Sequence, residues 1–155
     1  MNEEKRRKSR FMRASDESVF IGSGIEVKES KIIKAGRGLF ATKTFEKGSW
    51  ITSFEGNVIS HTEAIAKRLA DQAQYIVMCE RGRVALDCFP KVVGGKAGGQ
   101  FANHSTSQNN AKLVLLYNPK TLLSWPFLQA TKRIESGEEI TYNYGKGAFT
   151  RDHSK

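Results

Sequence analysis

Cysteine and histidine are scarce in this sequence of 155 residues: two cysteines, Cys79 and Cys88, and three histidines, His61, His104 and His153. Two thiols cannot by themselves build a Cys-rich zinc site, and they read as reduced side chains. The histidines are widely spaced, with no helical His-x-x-x-His pair to hold a metal. No Cys–His pair or Ser-His-Asp set is evident around His104, so nucleophilic hydrolysis lacks a candidate. No apolar run approaches the roughly 18–20 residues that cross a bilayer, and no membrane partner is expected. The N-terminus, MNEEKRRKSR, is charged where a secretory signal is apolar, so an intracellular protein is expected. Internal repeats are also absent.

What is present is enough for one folded domain. Hydrophobic residues make up 39% of the chain and charged residues 26%, a composition that excludes wholesale disorder. A chain of this length buries a single core. The formal net charge of +9 points to an acidic partner, or to a partner bound to something acidic. Part of that charge is local. Lys5, Arg6, Arg7, Lys8, Arg10 and Arg13 stand against Glu3 and Glu4 in the first 13 residues. Residues 1–22 are therefore expected to be a basic N-terminal tail. Its stretch 5–13 reads either as solvated chain or as a nuclear-import or nucleic-acid contact.

Beyond the tail, turn residues break the text into short apolar runs. Candidate strands are 25–27, 31–33, 39–42, 50–54, 75–79, 84–86, 113–117, 127–131 and 139–142. Between them lie Gly36 and Gly38, Lys47-Gly48, Glu55-Gly56-Asn57, Arg81-Gly82, Asn118-Pro119 and Ser136-Gly137. One helix is expected over about residues 61–73. Ser60 and Glu63 form a capping-box pattern there, with Ile65, Leu69 and Ala73 recurring on one face. The fold class is mainly β with little helix.

Four segments carry candidate chemistry. Gly36-x-Gly38-x-x-Ala41 matches a dinucleotide fingerprint, but Leu39 to Gly48 reads as strand and turn. No helix follows to receive a pyrophosphate, so the segment is either a hairpin turn or a close backbone approach to another ligand. Asn103-His104-Ser105 follows a glycine pair and alone is an ordinary polar turn. Glu138-Glu139-Ile140-Thr141-Tyr142-Asn143-Tyr144-Gly145 alone is a strand whose tyrosines share one face. Tyr75 to Asp87 reads as a hairpin.

Taken together these segments are specific. Gly36-Arg37-Gly38-Leu39-Phe40-Ala41 with Phe45-Glu46-Lys47-Gly48 resembles the opening motif of the SET domain. Phe101-Ala102-Asn103-His104-Ser105, with Asn109-Asn110-Ala111 after it, resembles that family's Phe-x-Asn-His-Ser motif. Gly137 to Gly145 resembles its closing Gly-Glu-Glu-Leu-Thr-Tyr-Asp-Tyr-Gly motif. The three occur in the family's order across residues 23–147, and residues 148–155 are left as a short C-terminal tail.

The resemblance implies several small curved β-sheets around a C-terminal pseudoknot, an exception to the rule against threaded chains. It implies a protein-lysine N-methyltransferase that takes S-adenosylmethionine as donor and releases S-adenosylhomocysteine. By position, Ala35, Gly36, Arg37, Tyr75, Asn103 and His104 would bind the donor. Tyr144 would be the catalytic tyrosine, and Tyr142 would shape the lysine channel. Tyr142 implies mainly mono- or dimethylation. The implied substrate is a lysine in a basic protein segment such as a histone tail or nucleosome, which favours a nuclear location, of the cell or of a host; a homodimer is compatible.

Three departures stand out. Gln100 replaces a frequent Arg, and Thr106 replaces the usual Cys after Asn-His-Ser. No Cys-rich tail follows Gly145, so no zinc is expected and Phe149 is the candidate for closing the channel. An alternative reading is a SET-like module without catalysis that holds chromatin or nucleic acid through its basic surface. Retention of Asn103, His104 and Tyr144 favours the enzyme.

Overall fold

The computed structural model describes residues 22–70, 75–79, 84–90, 97–118 and 123–146. Phe149 and the basic stretch 5–13 lie outside the described residues. The order of elements is β1 (Ile25–Glu29), β2 (Arg37–Ala41), β3 (Trp50–Ser53), β4 (Asn57–Ser60), α1 (His61–Leu69), β5 (Ile76–Cys79), β6 (Val84–Asp87), β7 (Asn103–His104), β8 (Ala111–Asn118), β9 (Leu123–Ala130) and β10 (Glu139–Tyr142). Among the described residues these strands form three small sheets, ordered β1-β2-β10-β7, β3-β9-β8 and β4-β6-β5. The mainly-β expectation is met.

The main core is shared by the sheets. Leu39 of β2, Ile51 of β3, Phe127 and Leu128 of β9 and Ile140 of β10 are buried in it. A smaller cluster of Ile59, Ala64, Ile76 and Ala85 sits under α1. Burying a side chain of this size stabilises by about 1.5–3 kcal/mol, so these clusters hold the short strands that hydrogen bonds alone would not.

Several elements differ from the sequence expectation. The stretch 31–33 is not a strand: β1 pairs with β2 from Ile25↔Ala41 to Glu29↔Arg37, so 30–36 becomes the connecting loop. Lys34 takes φ 67° there, and Ile33 is 87% exposed. Residues 57–60, where the sequence places a turn residue at Asn57 and a helix cap at Ser60, form edge strand β4 against β6. The helix runs His61–Leu69, capped by the Ser60 hydroxyl accepting from the Glu63 N–H at 3.0 Å. Its buried residue is Ala64, Ile65 is half-buried and Leu69 is 84% exposed, so Leu69 is not on its inner face; Ala73 lies outside the described residues.

Strand β9 begins at Leu123 and runs through Pro126 although it is the central strand of its sheet. A proline there lacks a ladder donor. The Phe54 N–H donates to the Pro126 carbonyl at 3.0 Å, and the return bond is missing. The Trp125 indole N–H supplies it instead, donating to the Phe54 carbonyl at 2.8 Å. An adjacent side chain thereby replaces the donor that proline removes.

The last strand is gripped by the loop leaving β7. Strand β10 runs parallel to β7, with Thr141 opposite Asn103 and Tyr142 opposite His104. The Ser105 N–H donates to the Tyr142 carbonyl and the Asn110 N–H to the Thr141 carbonyl, both at 3.1 Å. Consecutive carbonyls of a strand point to opposite edges, so the 103–110 loop holds β10 from both sides. The Asn110 side chain closes the grip, donating to the Glu139 carbonyl at 2.9 Å and accepting from the Thr141 N–H at 3.0 Å. This is the C-terminal pseudoknot.

Candidate active site

The grip on β10 brings the three sequence motifs to one place. On the first, Gly36 has φ +75°, in the left-handed region that favours glycine, and open space lies where its Cβ would be. Its carbonyl accepts from the Ser30 N–H at 2.7 Å, and the Ala35 N–H donates to the Ile32 carbonyl at 3.1 Å. The Arg37 guanidinium lies 5.2 Å from the centre of the Phe101 ring, at cation–π distance.

Asn103 joins the second motif to the first. Its side-chain amide donates one N–H to the Arg37 carbonyl at 2.9 Å and the other to the Glu139 carboxylate at 3.1 Å. With both donors committed, the orientation of the amide is set and its oxygen remains as an acceptor. The buried Gln100, one of the departures, accepts from the Glu55 N–H at 3.0 Å and donates to the Ala97 carbonyl at 3.2 Å. Its amide serves to fasten the 97–101 turn to the chain after β3.

His104 and Tyr144 join the second motif to the third. The Tyr144 N–H donates to His104 Nδ1 at 3.0 Å, so that nitrogen carries no proton. The Tyr144 hydroxyl donates to the carbonyl of buried Ala102 at 2.7 Å. The two rings lie 5.1 Å apart, and Tyr142 lies 4.9 Å from Tyr144 and 5.8 Å, edge to face, from Phe54. Tyr142 is fully buried and so packs in the core while touching Tyr144.

Of the residues singled out in the sequence, Ala35, Gly36, Arg37 and Asn103 form one hydrogen-bonded group, and His104, Tyr142 and Tyr144 an aromatic one. Tyr75 stands before β5, half-buried, with its ring 5.9 Å from Phe89. Sequence reasoning missed Glu139, Ser30 and the Ala102 carbonyl. Glu139 sits beside Ile140 in an alternating strand, where a carboxylate reads as solvent-facing. Backbone groups such as the Ala102 carbonyl leave no trace in residue type.

A family model described as the SET domain matches residues 36–145. The chain belongs to the SET-domain family. The N-lysine methyltransferase KMT5A-B of Xenopus laevis is 31% identical over 139 residues, which cover 84% of this chain and 39% of that protein. The histone-lysine N-methyltransferase Set8 of Drosophila melanogaster is 27% identical over 144 residues, covering 89% of this chain and 20% of its own length. This SET-domain chain thus spans well under half the length of either relative. The Chaetomium thermophilum Polycomb Repressive Complex 2, in an autoinhibited conformation bound to S-adenosylmethionine, shares its fold. There the TM-score is 0.66 over 80% of this chain and 15% of that one, at 23% identity.

Proposed function

We propose that the chain is a protein-lysine N-methyltransferase that draws on S-adenosylmethionine, with residues 23–147 as its catalytic domain and 1–22 and 148–155 as flanking segments. One observation carries the reading: Tyr144 is tied through its N–H to His104 and through its hydroxyl to Ala102, on either side of Asn103. The tyrosine of the proposed reaction and the candidate donor site are thereby one bonded unit.

The residues fit the cofactor. The turn at Ala35, Gly36 and Arg37 offers open backbone at Gly36, and Asn103 keeps an acceptor oxygen suited to an ammonium group. Those residues, with His104 and Tyr75, would hold S-adenosylmethionine. When bound, its sulfonium supplies an electrophilic methyl group. The chain's own task is positioning. A free lysine has a pKa of about 10.4, and an apolar, aromatic surround disfavours the ammonium and so favours the reactive neutral amine. With its proton committed to Ala102, the Tyr144 oxygen turns lone pairs elsewhere, as an acceptor for polarised C–H groups worth about 0.5–1 kcal/mol each. Fixing both reactants in line contributes more, on the order of 7–11 kcal/mol.

The substrate in this reading is a protein segment with an exposed lysine, a histone tail being the first to test, and the product is mainly mono- or dimethyl-lysine. Residues 5–13 add a nucleic-acid contact, and the site of action is the nucleus. The test is incubation with labelled S-adenosylmethionine and a panel of histones, nucleosomes and lysine peptides, with mapping of the modified residue. Transfer to a lysine side chain supports the proposal. Binding of S-adenosylmethionine without transfer to any protein, or no binding by calorimetry, refutes it.

A further inference from the structure

Glu139 has a second set of contacts that the proposed reaction does not by itself require. Its carboxylate accepts three hydrogen bonds, two from the loop between β1 and β2 and one from Asn103. The Ser30 hydroxyl donates to Oε2 at 2.7 Å, the Asn103 side-chain N–H to Oε2 at 3.1 Å, and the Lys31 N–H to Oε1 at 3.1 Å. The Ser30 oxygen in turn accepts from the Ile32 N–H at 3.0 Å, and the Ser30 N–H binds the Gly36 carbonyl. The loop that presents Gly36 and the amide of Asn103 are therefore fastened to one side chain on β10.

A second observation concerns Gly38. Its φ is not in the left-handed region, so no backbone argument requires glycine there. A Cβ at this position would collide with Glu139 Oε2 and stand 3.1 Å from Asn103 Nδ2. The missing side chain is the gap through which the carboxylate reaches the amide.

We propose that Glu139 is a positioning residue for the cofactor, with Gly38 as its clearance. All three partners are donors, and an ionised carboxylate is acceptor-only, so it satisfies all of them. A glutamine cannot. Its NH₂ must face either Lys31 or the Ser30–Asn103 pair, and a donor then meets a donor. The expected loss is in the binding of S-adenosylmethionine, because the Gly36 turn and Asn103 both belong to the cofactor side of the site.

This inference rests on the proposed function, and its test separates the two. Calorimetry of S-adenosylmethionine would be run on the parent, Glu139→Gln, Gly38→Ala and the double variant, with steady-state kinetics on a methyl-accepting peptide. Glu139→Gln should weaken cofactor binding by about tenfold, the worth of one lost hydrogen bond. The peptide KM, and kcat at saturating cofactor, should stay within about threefold of the parent, on the same conversion. Gly38→Ala should do likewise, and the double variant should lose no more than the worse single one, because both break the same contact. Ser30→Ala, which removes the hydroxyl that donates to Glu139 and accepts from the Ile32 N–H, should show a loss of the same kind and covers the case in which Gly38→Ala fails to fold. A parent that binds no cofactor overturns the proposed function, and this inference with it. A parent that binds while Glu139→Gln binds within twofold overturns the inference alone, as does a loss spread equally over cofactor, peptide and kcat.

Discussion

Replacing Tyr144 by Phe separates chemistry from folding. The change removes one oxygen, whose proton is donated to the Ala102 carbonyl at 2.7 Å. It leaves the ring contacts with His104 and Tyr142 and the main-chain bond to His104 Nδ1. A net hydrogen bond contributes about 0.5–1.5 kcal/mol, and Tyr144 is only half-buried, so water relieves part of the loss. About 1 kcal/mol should go, which lowers the Tm by roughly 2–4 °C in a domain of this size. If the phenol oxygen acts in the transition state, turnover should fall far more, on the order of 10²-fold, or ~2.7 kcal/mol. The peptide KM should move little, since the interaction is made late. Methyl-transfer kinetics and a circular-dichroism melt on the same sample measure both. Turnover within twofold of the parent at equal folding would refute the role of Tyr144.

Tyr142→Phe should retain the fold, since its ring packing on Phe54 and Tyr144 is kept, and should shift products toward higher methylation. Mass spectrometry of a single-lysine peptide over time checks this, and an unchanged product ladder would remove Tyr142 from the channel. Trp125→Phe leaves the Phe54 carbonyl facing a proline nitrogen, so it should cost about 1–3 kcal/mol by urea unfolding. Adding Pro126→Ala restores a donor and should recover part of that; no recovery would show that the indole acts through packing alone. Arg133 holds the Glu135 carboxyl below its ordinary value, first by the hydrogen bond at 2.6 Å and then by its charge. A depressed carboxylate contributes stability above its unfolded pKa and loses it as pH falls through the lowered folded value. Arg133→Ala should move the Glu135 titration upward and flatten that acid-side loss, by carboxyl NMR against pH. An unmoved midpoint would refute the pairing. The pair is exposed, and the effect should be small.

Local patterns in the sequence were enough for the mainly-β class and for most strands. Short apolar runs such as Trp50–Ser53 and Glu139–Tyr142 are bounded by turn residues whose backbone preferences act within a few positions. The three motifs were legible for the same reason: residue identity at a fixed spacing is a one-dimensional property. Where expectation and structure part, a distant segment decided. The Ile32-Ile33 pair has strand-like composition, but the pairing of β1 with β2 five residues deep forces it into the loop. Leu69 recurs at helical spacing and is exposed, because the sheet beneath α1 meets Ala64 instead.

The site was half legible on the same grounds. Asn103, His104 and Tyr144 were named from the sequence, but their bonding depends on the 103–110 loop closing around β10, which no local preference encodes. Glu139 stood in the closing motif and Gly38 in the opening one, with no role assigned to either. Only when β2, β7 and β10 meet does the carboxylate find Ser30, Lys31 and Asn103, residues 109, 108 and 36 positions away along the chain. By itself the sequence determined which residue types were available and the order of their motifs. The tertiary structure decided which of them touch, because hydrogen bonds are made across space and the chain brings their partners together only on folding.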